Sequence, residues 1–372
     1  MGLTRRQFIP RMVALAIPLI VSLIVPYPLI TQSSKPHKIV RLKQRTVVGP
    51  SRYLPVKRTD SIIEYNKGNL VTVTYEPQES SYIKGGVMFE LGLGGAIGQF
   101  DEQNSHQNNG NKLLIAPAQR GFYTTSYHHP STGIKKISDG NFTLENCANT
   151  HYAVYSILNE KFQKDLFGMG HSFGGYNLMR SSKEKEISYA AVSLLNPMLS
   201  FKDVYKEHKY GNLLMNLIKI LKFDPEWLRN WIAARIIDHI NEINGNKPTG
   251  GKKIGDLWIK EPYQLLKRSL EAPALYDIIK EFDMPLLVQQ VVNDGNLFVG
   301  PMDEGRYISL RDKWQSIVKD KKKLELIIIG ELNKEEGPNH EFVKKGIMFA
   351  HPKFEEAMDR TYDFFMKNKS YF

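Results

Sequence analysis

Ser172 is the residue whose neighbours best equip it to act as a nucleophile. Gly170 and Gly174 stand two positions to either side of it, inside the stretch Gly-Met-Gly-His-Ser-Phe-Gly-Gly over residues 168–175. A strand running into a serine and a helix leaving it place the serine on a sharp turn with strained backbone angles. The residues two before and two after then pass close together, and only a very small side chain fits at either. The turn lifts the hydroxyl clear of the sheet and brings the next N–H, that of Phe173, to where an oxyanion would form. The context agrees: residues 163–169 predict a short strand, Gly175 leaves room for helix against sheet, and residues 176–180 can start a helix. A serine hydroxyl is a poor nucleophile near neutral pH. An imidazole must take its proton, and a carboxylate must orient that imidazole.

The elbow in this context resembles that of the α/β-hydrolase superfamily, in particular its lipase, esterase and monoglyceride-lipase-like serine hydrolases. The resemblance spans roughly residues 60–370. It implies an α/β fold, a mainly parallel central sheet with helices on both faces and an inserted helical cap. It also implies the chain order serine, acid, histidine. The apolar run 284–292 is followed by a turn at 293–296, so the resemblance gives Asp294 as the acid. Residues 323–330 read as the last strand, and the loop after it carries His340, the implied base. A helix is expected over 352–367. Asp303 is the rival acid and His351 the rival base. The first oxyanion donor is Phe173 N–H. The second is expected from the loop after a strand at 86–90, where Leu93 takes the donor position. Many members read His-Gly in that loop, whereas this chain reads Glu90, Leu91, Gly92, Leu93. A backbone donor survives the change, and the bracing of the loop does not. The stretch between Asp294 and His340 is longer than the family commonly shows, and the charged insertion 331–336 accounts for part of it.

Other chemistry-bearing residues are weaker candidates. Cys147 is the single cysteine, which excludes an intrachain disulfide and a cysteine-cluster metal site. It lacks an elbow and reads as a structural thiol on a helix over 144–158. The glycines at 92, 94, 95 and 98 miss the dinucleotide-loop spacing by one position. His340 and Glu341 begin like a zinc-protease helix, but Lys344 stands where the second histidine belongs. His128 and His129 read as a polar loop near the site rim, and His171 as packing beneath the elbow. No cofactor and no metal are expected.

The elements that must position these residues follow from patterning. Residues 61–65 and 70–75 flank a turn at 66–69 and predict a hairpin. Residues 112–117 read as a buried strand before a turn at 119–122, and 187–195 as the strand after the elbow helix. Alternating strands and helices argue for parallel pairing with right-handed crossovers. Between 196 and 283 the alternation stops, and residues 213–221 and 226–243 carry apolar residues at helical spacing. Trp227, Trp231, Ile232, Ile236, Ile240 and Ile243 are expected on one face. The segment reads as the cap, with a mobile loop at 244–253. The expected organisation is a signal or anchor over 1–34, core over 35–198, cap over 199–282 and core again over 283–372.

The chain has 372 residues and a formal charge of +11. Arg5, Arg6 and Arg11 carry three positive charges, and eight more lie between Lys35 and Arg58 with no acid among them, so the remainder is neutral. Residues 31–60 read as a basic linker and lead-in, suited to solvent or to an anionic membrane surface. No nucleic-acid motif accompanies the charge. Residues 12–30 hold no charge, and the arginine pair before them resembles a twin-arginine export signal. The segment is near the ~20 residues that span a bilayer. An uncleaved anchor and a cleaved signal both fit; the arginine pair argues for a catalytic domain outside the cytoplasm, and the eight basic residues after the segment argue the other way. The expected activity is hydrolysis of carboxylic esters, of acyl-lipid type such as a monoglyceride or lysophospholipid, through an acyl-enzyme. A serine aminopeptidase or amidase, with Glu226, Asp238 or Glu242 capturing an amine, and a non-catalytic binding protein are the alternatives. The oligomeric state is open.

Overall fold

The antiparallel start of the sheet forms from β1 (Ile39–Val47), β2 (Val56–Tyr65) and β3 (Gly68–Pro77), with β2 pairing to both neighbours. This is a computed structural model that describes residues 39–47, 54–65, 68–92, 109–130, 142–200, 226–243, 247–254, 257–294, 302–318, 320, 323–333, 337–339, 342 and 349–370. The predicted hairpin is present and longer at both ends. β1 corrects the linker reading, because this basic stretch forms a nine-residue strand, eight residues of which pair with β2 from Ile39 opposite Ile63 to Val47 opposite Val56. Charge does not prevent strand formation at a sheet edge. Lysine and arginine there discourage pairing with another chain.

Next come β4 (Gly85–Glu90), α1 (Asn109–Gln119), β5 (Phe122–Tyr127), α2 (Leu144–Phe162), β6 (Leu166–His171), α3 (Phe173–Glu184) and β7 (Val192–Leu195). The alternation then gives way to α4 (Glu226–Ile243), a small hairpin of β8 (Lys253–Ile254) and β9 (Leu257–Trp258), α5 (Pro262–Glu271) and α6 (Leu275–Ile279). It resumes with β10 (Leu286–Val291), α7 (Glu304–Ile317), β11 (Leu324–Ile329) and α8 (Pro352–Lys367). One open sheet results, in the order β1-β2-β3-β5-β4-β6-β7-β10-β11, and every pairing from β5 to β11 is parallel.

Residues 112–117 are helix, not strand: they lie inside α1. Leu113, Leu114, Ala116 and Ala118 are all buried, and a short apolar run cannot tell a buried strand from a buried helix. Pro117 sits in the last turn, and Arg120 then closes the helix end. Its guanidinium donates to the Ala116 carbonyl and pairs with Glu355 and Asp359 of α8 at 2.8 and 2.7 Å. On α4 the predicted common face splits. Trp227 and Trp231 are 70% and 56% exposed, while Ala233, Ile236 and Ile237 are buried. Residues 213–221 lie outside the described residues.

Alternation along the strands gives the sheet two buried faces. Met88, Tyr127, Leu166 and Val192 face a core built with α2, α3, α6, α7 and the apolar side of α4 and α5. Val87, Phe89, Phe122 and Phe167 face a second core built with α1 and α8. The chain leaves β4 through α1 on one face to reach β5, and leaves β6 through α3 on the other to reach β7. Adjacent parallel strands whose connections depart to opposite faces open a crevice at their carboxyl ends. β4 and β6 are such a pair.

Candidate active site

Ser172 sits at that crevice. It follows β6, precedes α3 and adopts φ 56° and ψ −127°, in the left-handed region that non-glycine residues avoid. It is half-buried while its neighbours His171 and Phe173 are buried, so the turn presents it alone. Its N–H donates to Leu195 O at 3.1 Å, and its carbonyl accepts from Gly175 N and Met198 N. The strained conformation is thus tied on both sides. The two flanking glycines are required by close approach. A methyl at 170 would lie 2.7 Å from the Gly175 backbone, and one at 174 would overlap the carbonyl oxygen of Glu90.

Phe173 opens α3, so its N–H has no carbonyl partner within the helix. Gly92, two residues past β4, comes alongside the serine: a methyl on it would touch Ser172 Cβ at 3.4 Å. The loop expected to supply the second donor therefore starts beside the nucleophile. Leu93 itself lies outside the described residues.

Asp294 follows β10 and is fully buried, and its Oδ2 accepts from Gln290 Nε2 at 2.6 Å. Asn293 bridges Asn339 in parallel. The carboxyl ends of β6, β7 and β10 are cross-linked in sequence, Ser172 N–H to Leu195 O and Asn196 N–H to Gln289 O. Ser172, Asp294 and the segment reaching Asn339 accordingly share one edge of the sheet. His340 lies outside the described residues. The rivals have other work: His351 caps α8 by accepting from Lys353 N, and Asp303 caps α7 by accepting from Arg306 N.

Asp238, a candidate for capturing an amine, is buried and accepts from Thr249 N and Gly251 N, holding the turn after α4. Glu226 is exposed at the start of α4, and the side chain of Glu242 lies outside the described ones. Cys147 is fully buried on α2. Burial, and then the nearby Glu90 charge, push its thiol well above the ordinary range, as suits a structural thiol. His171 is buried and meets Phe349 edge to face at 5.4 Å.

A polar cluster beside the elbow has no counterpart in the sequence reading. Glu90, the last residue of β4, is fully buried. Its Oε1 accepts from Tyr127 Oη at 2.7 Å and Asn177 Nδ2 at 2.6 Å, and stands 3.4 Å from His129 Nε2. Its Oε2 meets His151 Nδ1 at 2.9 Å, and His151 Nε2 meets Tyr189 Oη at 2.7 Å. An ionised carboxylate only accepts, so the His151 proton belongs on Nδ1. Burial alone would raise the Glu90 pKa, but His129 and His151 outweigh it and lower it to about 2. The signal in the sequence was a carboxylate ending an otherwise apolar strand. His128 and His129, read as a polar loop, are both buried after β5. Among the described residues no cluster could hold a metal ion, and no helix is long and apolar enough to cross a membrane. The N-terminal segment 1–38 lies outside them.

No family model matches the chain, and no curated protein matches it. Solved structures do. The esterase Est1E of Butyrivibrio proteoclasticus, in a structure with ferulic acid bound, is 15% identical over 82% of this chain and 98% of its own, with a TM-score of 0.50. A monoacylglycerol lipase of Paleococcus ferrophilus is 16% identical over 81% and 99%, at 0.47. Mouse α/β hydrolase domain-containing protein 10 is 13% identical over 83% and 98%, at 0.48. The chain has the α/β-hydrolase fold.

Proposed function

We propose that this α/β-hydrolase-fold chain is a serine hydrolase that cleaves carboxylic esters through an acyl-enzyme. The observation that carries the reading is Ser172 itself: half-exposed, strained, held at the carboxyl edge of the sheet and flanked by Gly92 and the start of α3. Backbone strain at a partly exposed hydroxyl is what an active-site nucleophile requires. In the proposed reaction Ser172 attacks the ester carbonyl. His340 takes the serine proton and then gives it to the leaving alcohol. Asp294 orients His340. The N–H groups of Phe173 and Leu93 hold the oxyanion, and water attacks the acyl-enzyme with His340 again as base.

We favour an acyl-lipid ester, such as a monoglyceride or lysophospholipid. A small cleft lies between the start of α2 and the cap helix α5, with Phe142, Leu144 and Leu265 beside polar groups that include Lys260, Glu261 and Arg268 in its lining. Phe142 lies 6.0 Å from the Phe173 ring. A lining that mixes apolar and polar groups suits an acyl ester with a polar head. The uncharged stretch 12–30 and the arginine pair before it support a membrane-anchored or exported enzyme with its catalytic domain outside the cytoplasm.

The test is a fluorophosphonate probe on the full chain beside Ser172→Ala and His340→Ala. Labelling of the parent at Ser172, lost in both variants, is the expected result, followed by ester hydrolysis that varies with acyl-chain length. A folded parent that stays unlabelled overturns the serine-hydrolase reading.

A further inference from the structure

We propose that Glu90 is a positioning residue that sets the spacing between the two oxyanion-donor segments, the turn after β4 and the start of α3. This rests on the serine-hydrolase reading. Glu90 belongs to both segments at once. Its backbone runs directly into Leu91 and Gly92, and Gly92 abuts Ser172. Its side chain takes the Nδ2 proton of Asn177, one helical turn after Phe173 on α3. Its carbonyl lies so close to Gly174 that the helix has no room to slide toward the strand. A shift of the carboxylate would therefore change the distance between the Phe173 amide and the loop that begins at Leu91.

The other contacts stop the carboxylate from shifting. Tyr127 reaches it from β5, His129 from the segment after β5 and His151 from α2. Tyr189, ahead of β7, donates to Nε2 on the far side of His151 and lies 3.4 Å from Met88 Sδ. His129 lies parallel to Phe142 at 6.0 Å, stacks on Tyr127 at 5.7 Å and meets Phe173 edge-on at 5.8 Å. The ring of the oxyanion residue thus rests on a histidine that Glu90 faces. Charge-assisted hydrogen bonds in a water-free site are short and directional, so they define a position better than apolar packing does. The loop that lacks the usual histidine, with Leu91 in its place, is braced from the preceding residue instead.

Asn177 supplies an independent observation. It is fully buried, and among the described residues its Oδ1 has no hydrogen-bond partner. A side chain chosen for stability alone would not bury an orphan acceptor. Its Nδ2 donates to Glu90 Oε1 at 2.6 Å.

The experiment uses the full chain with Glu90→Gln and Asn177→Leu, and rates expressed per serine titrated by fluorophosphonate. A residue that only supports folding lowers the number of titratable serines and leaves the rate per serine alone. The expected result is a fall in kcat per titrated serine of about 10²-fold for Glu90→Gln and about tenfold for Asn177→Leu, with KM within about twofold, because oxyanion donors act in the transition state. Amide exchange read by mass spectrometry should rise over 88–92 and 170–177 together in both variants. A rate per serine within about threefold of the parent in both variants overturns the proposal, whatever happens to Tm. Should Glu90→Gln fail to fold, Asn177→Leu decides alone by the same thresholds. If the parent never labels, the hydrolase reading fails and the exchange data decide the spacing role. Joint loosening of the two segments upholds it, and unchanged protection or loosening of only one overturns it.

Discussion

β5 carries two polar clusters on opposite faces of the same sheet, and they are built in opposite ways. On the α2–α3 face Tyr127, with His129 just beyond it, points at Glu90, whose two oxygens meet donors from three further elements. On the α1 face lie Thr124, Ser126 and His128, the last within reach of the Arg58 charge. That guanidinium is committed to Asp60 at 2.6 and 2.9 Å and to Tyr75 at 3.3 Å. Thr124 Oγ1, Ser126 Oγ and His128 Nδ1 are buried without a partner among the described residues. Two adjacent histidines thus meet opposite surroundings. His129 faces a carboxylate. His128 has its pKa lowered to about 4, first by burial, then by the Arg58 charge and by His129. The carboxylate-centred network stands beside the nucleophile and the guanidinium-centred one away from it, and each keeps at least one buried orphan atom among the described residues, Asn177 Oδ1 in the first and His128 Nδ1 in the second.

The largest effect should come from deleting the two central charges. Glu90→Leu strands the His151, Asn177 and Tyr127 donors in the core and should cost about 3–5 kcal/mol, as losing one partner of a buried ionic network does. Arg58→Met leaves Asp60, whose side chain is 18% exposed and can hydrate, so its cost should be about 1–2 kcal/mol. Urea denaturation of the full chain measures both. Equal costs would erase the contrast between the faces.

Acid should separate the same two clusters. Glu90 has a folded pKa of about 2, below its ordinary 4.5. Its contribution is therefore complete above pH 4.5 and is lost as pH falls toward 2. The difference in pKa is worth about 3 kcal/mol. His128, lowered from 6.5 to about 4, also stabilises above its unfolded value and loses that stability as pH falls through 4. Acid destabilisation should then begin on the Arg58 face between pH 6.5 and 4 and reach the Glu90 face below 4.5. Stability against pH for the parent and Arg58→Met tests this, because the upper window should move to higher pH once the guanidinium is gone. A window that does not move would mean that burial alone sets the His128 value.

The legible parts of this molecule are those specified locally. Gly170, Ser172 and Gly174 sit within five residues, and the turn they make depends on nothing farther away. The apolar runs of β10 and β11, and the helix over 352–367, were likewise readable. Asp294 is buried at the carboxyl edge, while His340 and Leu93 fall outside the described residues. α1 was misread because a short apolar run does not distinguish a buried helix from a buried strand. β1 was misread because its charge outweighed its length. The Glu90 cluster was invisible for another reason: its partners lie 37, 61 and 87 residues away, and no spacing rule links them. Only the pairing of β4 with β5 and β6 brings them together.

The smallest expected effect is the sharpest check on the contrast. His128→Leu removes a neutral imidazole whose Nδ1 already lacks a partner, so no hydrogen bond is lost with it. The change in stability at pH 7 should stay within about 1 kcal/mol, since an apolar replacement abolishes an unsatisfied group. The same variant should lose the destabilisation between pH 6.5 and 4, because no group remains there to charge. His129→Leu, one residue on, should behave differently. It removes a group facing Glu90 and the packing under Phe173, and it should lower the esterase rate as well as Tm. A loss above about 2 kcal/mol in His128→Leu at pH 7 would mean that a bound water completes the Arg58 face. The contrast between the two sides of β5 would then fall.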